Sequence, residues 1–157
     1  MSQPINIRDG EWSEFGHGET FKSQRKGLTD RTGGNGIGCS LYRVAPGKAA
    51  FPKHGHLTND EAVFVLQGSG TMIVGDKEFA VEQGDYVPLP KGEDGAHKLI
   101  NTSDADIEYL CFSTMHSPEV VFYPDSNKTG VIHFDSSHRI REIYDRAPVD
   151  YWKGEAD

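Results

Sequence analysis

Gly47–Gly68, GKAAFPKHGHLTNDEAVFVLQG, places three metal-ligand side chains, His54, His56 and Glu61, within eight residues. Along an extended chain the side chains alternate between faces, so His54 and His56 point the same way. Imidazole nitrogens and a carboxylate oxygen are donors that a divalent transition metal accepts. A fourth donor of the same kind, His97, follows a second glycine- and proline-marked run, Gly84 to Asn101. The rest of the chain reads as a frame that brings His97 to the other three.

The frame is built of short extended pieces. Residues 38–46 (GCSLYRVAP), Phe51–His56 and the Val- and Phe-rich Glu61–Gln67 come first. Thr71–Val74 and Lys77–Val81 flank Gly75-Asp76, a hairpin signal that favours positive φ. Tyr86–Val87, His97–Asn101, Asp106–Ser113, Glu119–Tyr123 and Val131–Phe134 complete the series, with His97, Leu99 and Asn101 on one face. Eighteen glycines and eight prolines punctuate these pieces, a pattern of all-β domains with many turns and no crossover helices. Residues 1–36 are polar and glycine-rich, with Trp12, Phe15 and Phe21 as isolated anchors. TGGNGIG at 32–38 does not fit a dinucleotide fingerprint, because Cys39 stands where the last glycine belongs; it reads as a turn. Residues 135–157 form a tail, assigned a short helix over Ser137–Tyr144 and carrying Tyr151 and Trp152, aromatics expected to dock on a neighbouring surface.

The chain has 157 residues, which suits one domain with a sizeable core. Its formal charge of −8 argues against a nucleic-acid surface or an anionic membrane as partner. No apolar run is long enough for a membrane-spanning helix, and the first residues lack the pattern of a signal peptide. Cys39 and Cys111 lie far apart in apolar-leaning segments and read as buried free thiols. A cytoplasmic location is the expectation.

At these residues the sequence resembles the cupin superfamily. The first cupin motif is Gly, five or six residues, His-x-His, three or four residues, Glu, six residues, Gly; Gly47, His54, His56, Glu61 and Gly68 match it. The second runs from Gly84 through Pro90, Gly92 and His97 to Asn101. Here four residues, Glu93 to Ala96, separate Gly92 from His97 where the motif has two, which leaves the entry of that loop into its strand to be established. The resemblance implies a double-stranded β-helix, the jelly-roll cupin barrel, over residues 37–134. An N-terminal arm, 1–36, would pack on the barrel, with the tail at 135–157. It implies a homodimer, and it assigns His54, His56, Glu61 and His97 to one divalent metal: Zn, Mn, Fe, Ni or Co. The chain also resembles small single-domain cupins provisionally labelled sugar-phosphate isomerase-like or mannose-6-phosphate isomerase-like, a label that fold alone does not justify.

Tyr42, Phe51, Val63, Met72, Leu99, Tyr109 and Cys111 are the candidates to face into the barrel, with Tyr42 and Tyr109 as catalytic proton carriers. His17, His116, His133 and His138 have no ligand spacing and read as structural or exposed, and Asn101 as a strand-end residue bonding backbone. Lys53 and Lys98 neighbour ligand histidines and are expected to point outward, while Arg43 is a single cation placed to rim the barrel. This shortage of inward cations weighs against a sugar phosphate. The function expected is metal-dependent enzymology on a small organic ligand, of isomerase, lyase or dioxygenase type. A non-catalytic binding or storage cupin is the alternative.

Overall fold

A computed structural model describes residues 3–32, 36–134 and 139–155. Thirteen strands run through the described residues. They are β1 (Ser13–His17), β2 (Phe21–Gly27), β3 (Ile37–Val44), β4 (Gly55–His56), β5 (Glu61–Gln67), β6 (Ser69–Val74) and β7 (Lys77–Glu82). The second half supplies β8 (Tyr86–Leu89), β9 (His97–Ile100), β10 (Ile107–Thr114), β11 (Glu119–Tyr123), β12 (Lys128–Phe134) and β13 (Arg139–Asp145). One helical turn, α1 (Thr29–Thr32), precedes β3. None of the described helices is long and apolar enough to cross a membrane.

Every strand pair is antiparallel. One wall is a six-stranded sheet in the order β1-β2-β3-β10-β5-β8. Facing it are a four-stranded sheet, β13-β12-β11-β4, and a three-stranded sheet, β7-β6-β9. A bridge between His54 and His97 joins these two, with a backbone hydrogen bond in each direction. The result is the all-β double-stranded β-helix. Its joint therefore falls on two of the candidate ligand histidines.

The core lies between the walls: Tyr42, Val44, Val63, Val65, Met72, Leu89, Ile107 and Tyr109 are all buried there. On β10 the alternation is plain, with Ile107 and Tyr109 inward and Glu108 outward, paired with Arg43 at 2.7 Å. Burying a side chain the size of Ile107 contributes roughly 1.5–3 kcal/mol. Gly68 turns the chain out of β5 at φ +82°; a Cβ there would lie 2.5 Å from the Asp106 carbonyl oxygen, so only glycine fits. Asn101 is fully buried and bonds backbone as expected: its amide donates to Val44 and Ala105 carbonyls, both at 2.8 Å.

Two expectations need correction. The N-terminal segment contains strands: β1 and β2 extend the six-stranded wall, with Trp12 under Lys26 and Arg43 and Phe15 against Phe51. A strand and a helical turn thus precede the glycine-rich stretch, whose residues 33–35, read from sequence as part of a turn, lie outside the described residues. The tail helix over Ser137–Tyr144 is also replaced: Arg139–Asp145 is β13, paired residue by residue with β12, while 137 and 138 lie outside the described residues. Without β13, β12 would be the sheet edge, with a row of backbone groups that a helix would leave unpaired. Both cysteines are free.

Candidate metal centre

His54 leads into β4, His56 ends it, Glu61 opens β5 and His97 opens β9, so three separate strand ends converge. One donor atom from each of the four lies within 4.8 Å of the others. Glu61 Oε2 is 3.3 Å from His56 Nε2 and 3.2 Å from His97 Nε2. Two ligands on one transition metal can be at most about 4.4 Å apart, so the cluster needs only a few tenths of an ångström of contraction.

The backbone sets the histidine tautomers. His54 Nδ1 lies 2.9 Å from the Pro52 carbonyl oxygen, and His97 Nδ1 lies 2.9 Å from that of Gly95. A carbonyl only accepts, so each Nδ1 carries the proton and each Nε2 presents its lone pair to the centre. His56 Nε2 is buried without a hydrogen-bond partner. An orphaned buried nitrogen among lone pairs and a carboxylate is what a cation would satisfy, and the residues fit a divalent metal. The four residues between Gly92 and His97 are accommodated by a 3-10 turn, Glu93–Gly95, which supplies the carbonyl that holds His97.

The electrostatics favour the ligand-ready state of His54 and Glu61. Burial, aided by the neighbouring His97 and His56, pushes His54 down to about 3, so it is neutral at pH 7. Burial works to raise the Glu61 carboxyl, but the imidazoles of His56 and His97 against it outweigh burial and hold the acid well below the usual range. His56 is desolvated too, yet contact with Glu61 holds it above its ordinary value.

The cluster sits in a cavity of about 550 Å³. All seven residues expected to face the barrel line it: Tyr42, Phe51, Val63, Met72, Leu99, Tyr109 and Cys111. Tyr42 and Tyr109 stack at 5.4 Å, and burial raises both phenols, so each keeps its proton at neutral pH. His17 is exposed at the rim, His116 serves Asn59 through its backbone, His133 meets Ser117 at 3.1 Å, and His138 lies outside the described residues.

Of the three cations weighed from sequence, one is where it was placed and two are not. Lys53 does stay out of this cavity, 4.0 Å from Asp76. Lys98 does line it, its ammonium 5.5 Å from the Phe21 ring. Arg43 is absent from the lining, held outside by Glu108 and Trp12. Two further cations, Lys128 on β12 and Arg141 on β13, join the lining, where Glu61 is the only acid among the described residues. Arg141 went unseen because it sits on the segment assigned as helix. Tyr123, whose ring stacks 6.2 Å from that of His54, was also missed.

Comparison with known proteins agrees with this geometry. Residues 40–113 match the family model described as Cupin domain. This stretch is a cupin domain. Among solved structures, one provisionally assigned as a sugar phosphate isomerase from Acidithiobacillus ferrooxidans ATCC 23270 is 26% identical. The match covers 82% of this chain and 80% of that one at a TM-score of 0.71. A cupin-superfamily sugar phosphate isomerase from Silicibacter pomeroyi DSS-3 is also 26% identical, over 82% and 81%, at 0.70. A 1-hydroxy-2-naphthoate 1,2-dioxygenase from Nocardioides sp. strain KP7 is 32% identical over 79 residues, 50% of this chain and 19% of that protein. An uncharacterized protein of Methanocaldococcus jannaschii is 32% identical over 60 residues, 38% of this chain and 46% of that one. The matched stretch is thus under half the length of each of these two curated relatives.

Proposed function

We propose that this cupin is a metal-dependent enzyme acting on a small, anionic, partly apolar molecule that carries neighbouring oxygen donors. The observation that carries this reading is the four-ligand cluster at a cavity whose other charged groups are all cationic: Lys98, Lys128 and Arg141. His54, His56, Glu61 and His97 would hold one divalent ion, which when bound acts as a Lewis acid toward a substrate oxygen or acidifies water. Phe51, Val63, Met72 and Leu99 supply apolar walls that exclude water and strengthen charge interactions inside. Arg141 and Lys128 orient the anionic end of the substrate from the mouth. Tyr42 and Tyr109, proton-bearing at neutral pH, serve as donors to a substrate oxygen; Glu61, as a ligand, is no general base.

The three cations favour the isomerase branch and fit the assignments carried by the two solved relatives. They remove the reason for setting a sugar phosphate aside. The apolar walls favour a second reading, dioxygenase chemistry, in line with the Nocardioides relative.

The test is bound metal by plasma mass spectrometry on protein purified without a histidine tag or chelating column. About one equivalent of a divalent transition metal per chain supports the enzyme. Iron then directs the search to oxygen uptake, and zinc or manganese to isomerase assays with phosphorylated sugars. Protein that neither carries nor takes up metal overturns the proposal. Metal-loaded protein whose melting temperature rises with ligand but which leaves that ligand unchanged is a binding cupin.

A further inference from the structure

The ligand histidines differ in what holds the nitrogen that faces away from the centre. For His54 and His97 it is the carbonyl two residues earlier, Pro52 and Gly95. His56 makes no such bond among the described residues; the corresponding carbonyl, that of His54, accepts the His97 backbone N–H at 2.7 Å. The oxygen facing His56 Nδ1 is Glu119 Oε2, at 3.7 Å.

Glu119 opens β11 and is 3% exposed, an unusual place for a carboxylate. Its Oε1 accepts the backbone N–H groups of Leu57 and Thr58, each at 3.2 Å. Its Oε2 accepts the side-chain amide of Asn59, itself buried, whose own oxygen takes Thr114 Oγ1 and the His116 N–H. These contacts hold residues 57–59, within the connection between ligands His56 and Glu61. One carboxylate thus grips the loop between two ligands and faces the outer nitrogen of the first.

We infer that Glu119 is a positioning residue for the metal centre. It keeps His56 in the Nδ1–H tautomer with Nε2 directed at the ion, and it adds a second negative charge beside the site. The inference rests on the four residues holding a metal. Removing an outer carboxylate of this kind weakens metal binding by about 10- to 100-fold.

The experiment compares wild-type protein with Glu119→Gln, which keeps the size of the side chain and the acceptor for Leu57 and Thr58. Zinc affinity is measured by chelator competition, the melting temperature of the metal-free forms by thermal unfolding, and the imidazole protons of the zinc-loaded forms by NMR. The expected result is about 10- to 100-fold weaker zinc binding, with the His56 Nδ1 proton moved upfield and those of His54 and His97 unmoved. Unchanged zinc affinity beside a lowered metal-free melting temperature overturns the inference and leaves Glu119 a structural staple. Should the variant not fold, zinc-loaded wild type decides: a protonated His56 Nδ1 upholds the inference, and zinc bound through Nδ1 overturns it. Wild type that binds no zinc or other divalent transition metal overturns the metal reading itself, a different failure.

Discussion

His54 and Glu61 show how a candidate ligand set burdens the protein that builds it. Each is charged less readily, or more readily, in the fold than in the open chain, and each difference is a dependence of stability on pH. His54 goes from 6.5 to about 3. The unfolded chain therefore binds a proton at this residue that the folded chain refuses, and stability is lost as pH falls from 6.5 toward 3. Glu61, held below its ordinary 4.5, acts in the same direction below that value. His56 is raised, so its stabilisation is complete below 6.5 and lost only as pH rises through its elevated value; it does not oppose the acid loss. The melting temperature of EDTA-treated protein is expected to fall from pH 6.5 downward. A flat profile between 6.5 and 5 would show that His54 is not buried in its neutral form. The four candidate ligands were legible because they stand at the fixed offsets of two short motifs and their chemistry is uncommon. Glu119 was not, because nothing near it in the chain marks it; its role exists only where β11 passes the loop at 57–59.

Among the elements, the β12–β13 hairpin changes the function most. Ile140, Ile143 and Tyr144 fall at helical spacing, and a polar tail with that pattern reads as a short helix. Pairing with β12 overrides the local preference, and it sets Arg141 opposite Ile132 on the face that lines the cavity. Arg141→Ala is expected to require about tenfold more inorganic phosphate for the same rise in melting temperature of the zinc-loaded protein, the equivalent of one charge-assisted hydrogen bond. Equal responses would remove Arg141 from anion binding. The 3-10 turn before β9 offers a second check. A Cβ on Gly95 would meet the Pro90 carbonyl oxygen at 1.6 Å, so Gly95→Ala must move the carbonyl that holds His97. A loss of about 1–3 kcal/mol in urea unfolding is expected, together with lower metal occupancy.

For the whole molecule, the two walls share one core, and the centre depends on their being held together. Ile107, fully buried, has no contact with the ligands' chemistry; Ile107→Ala is expected to cost about 2–5 kcal/mol by denaturant unfolding. A cost under 1 kcal/mol would mean that the core collapses around the gap. At the far end of the chain, Tyr151 and Trp152 pack on each other and remain 82% and 67% exposed, so they do not dock on their own subunit. The full chain is expected to scatter light as a dimer of 17.4 kDa subunits, and a chain ending at Arg146 as a monomer. A dimer that survives the truncation would place the interface on the barrel.

By itself the sequence determined the candidate ligand cluster, the alternating strands of the barrel and the side chains that face its interior. These follow from residue types at fixed offsets and from a side-chain period of two, both of which are local. The tertiary structure alone decided which charges share the cavity, that the tail is a strand, and that a buried carboxylate attends His56. Those depend on which strand edges pair across the fold, and edge pairing is chosen by backbone groups that every residue carries alike.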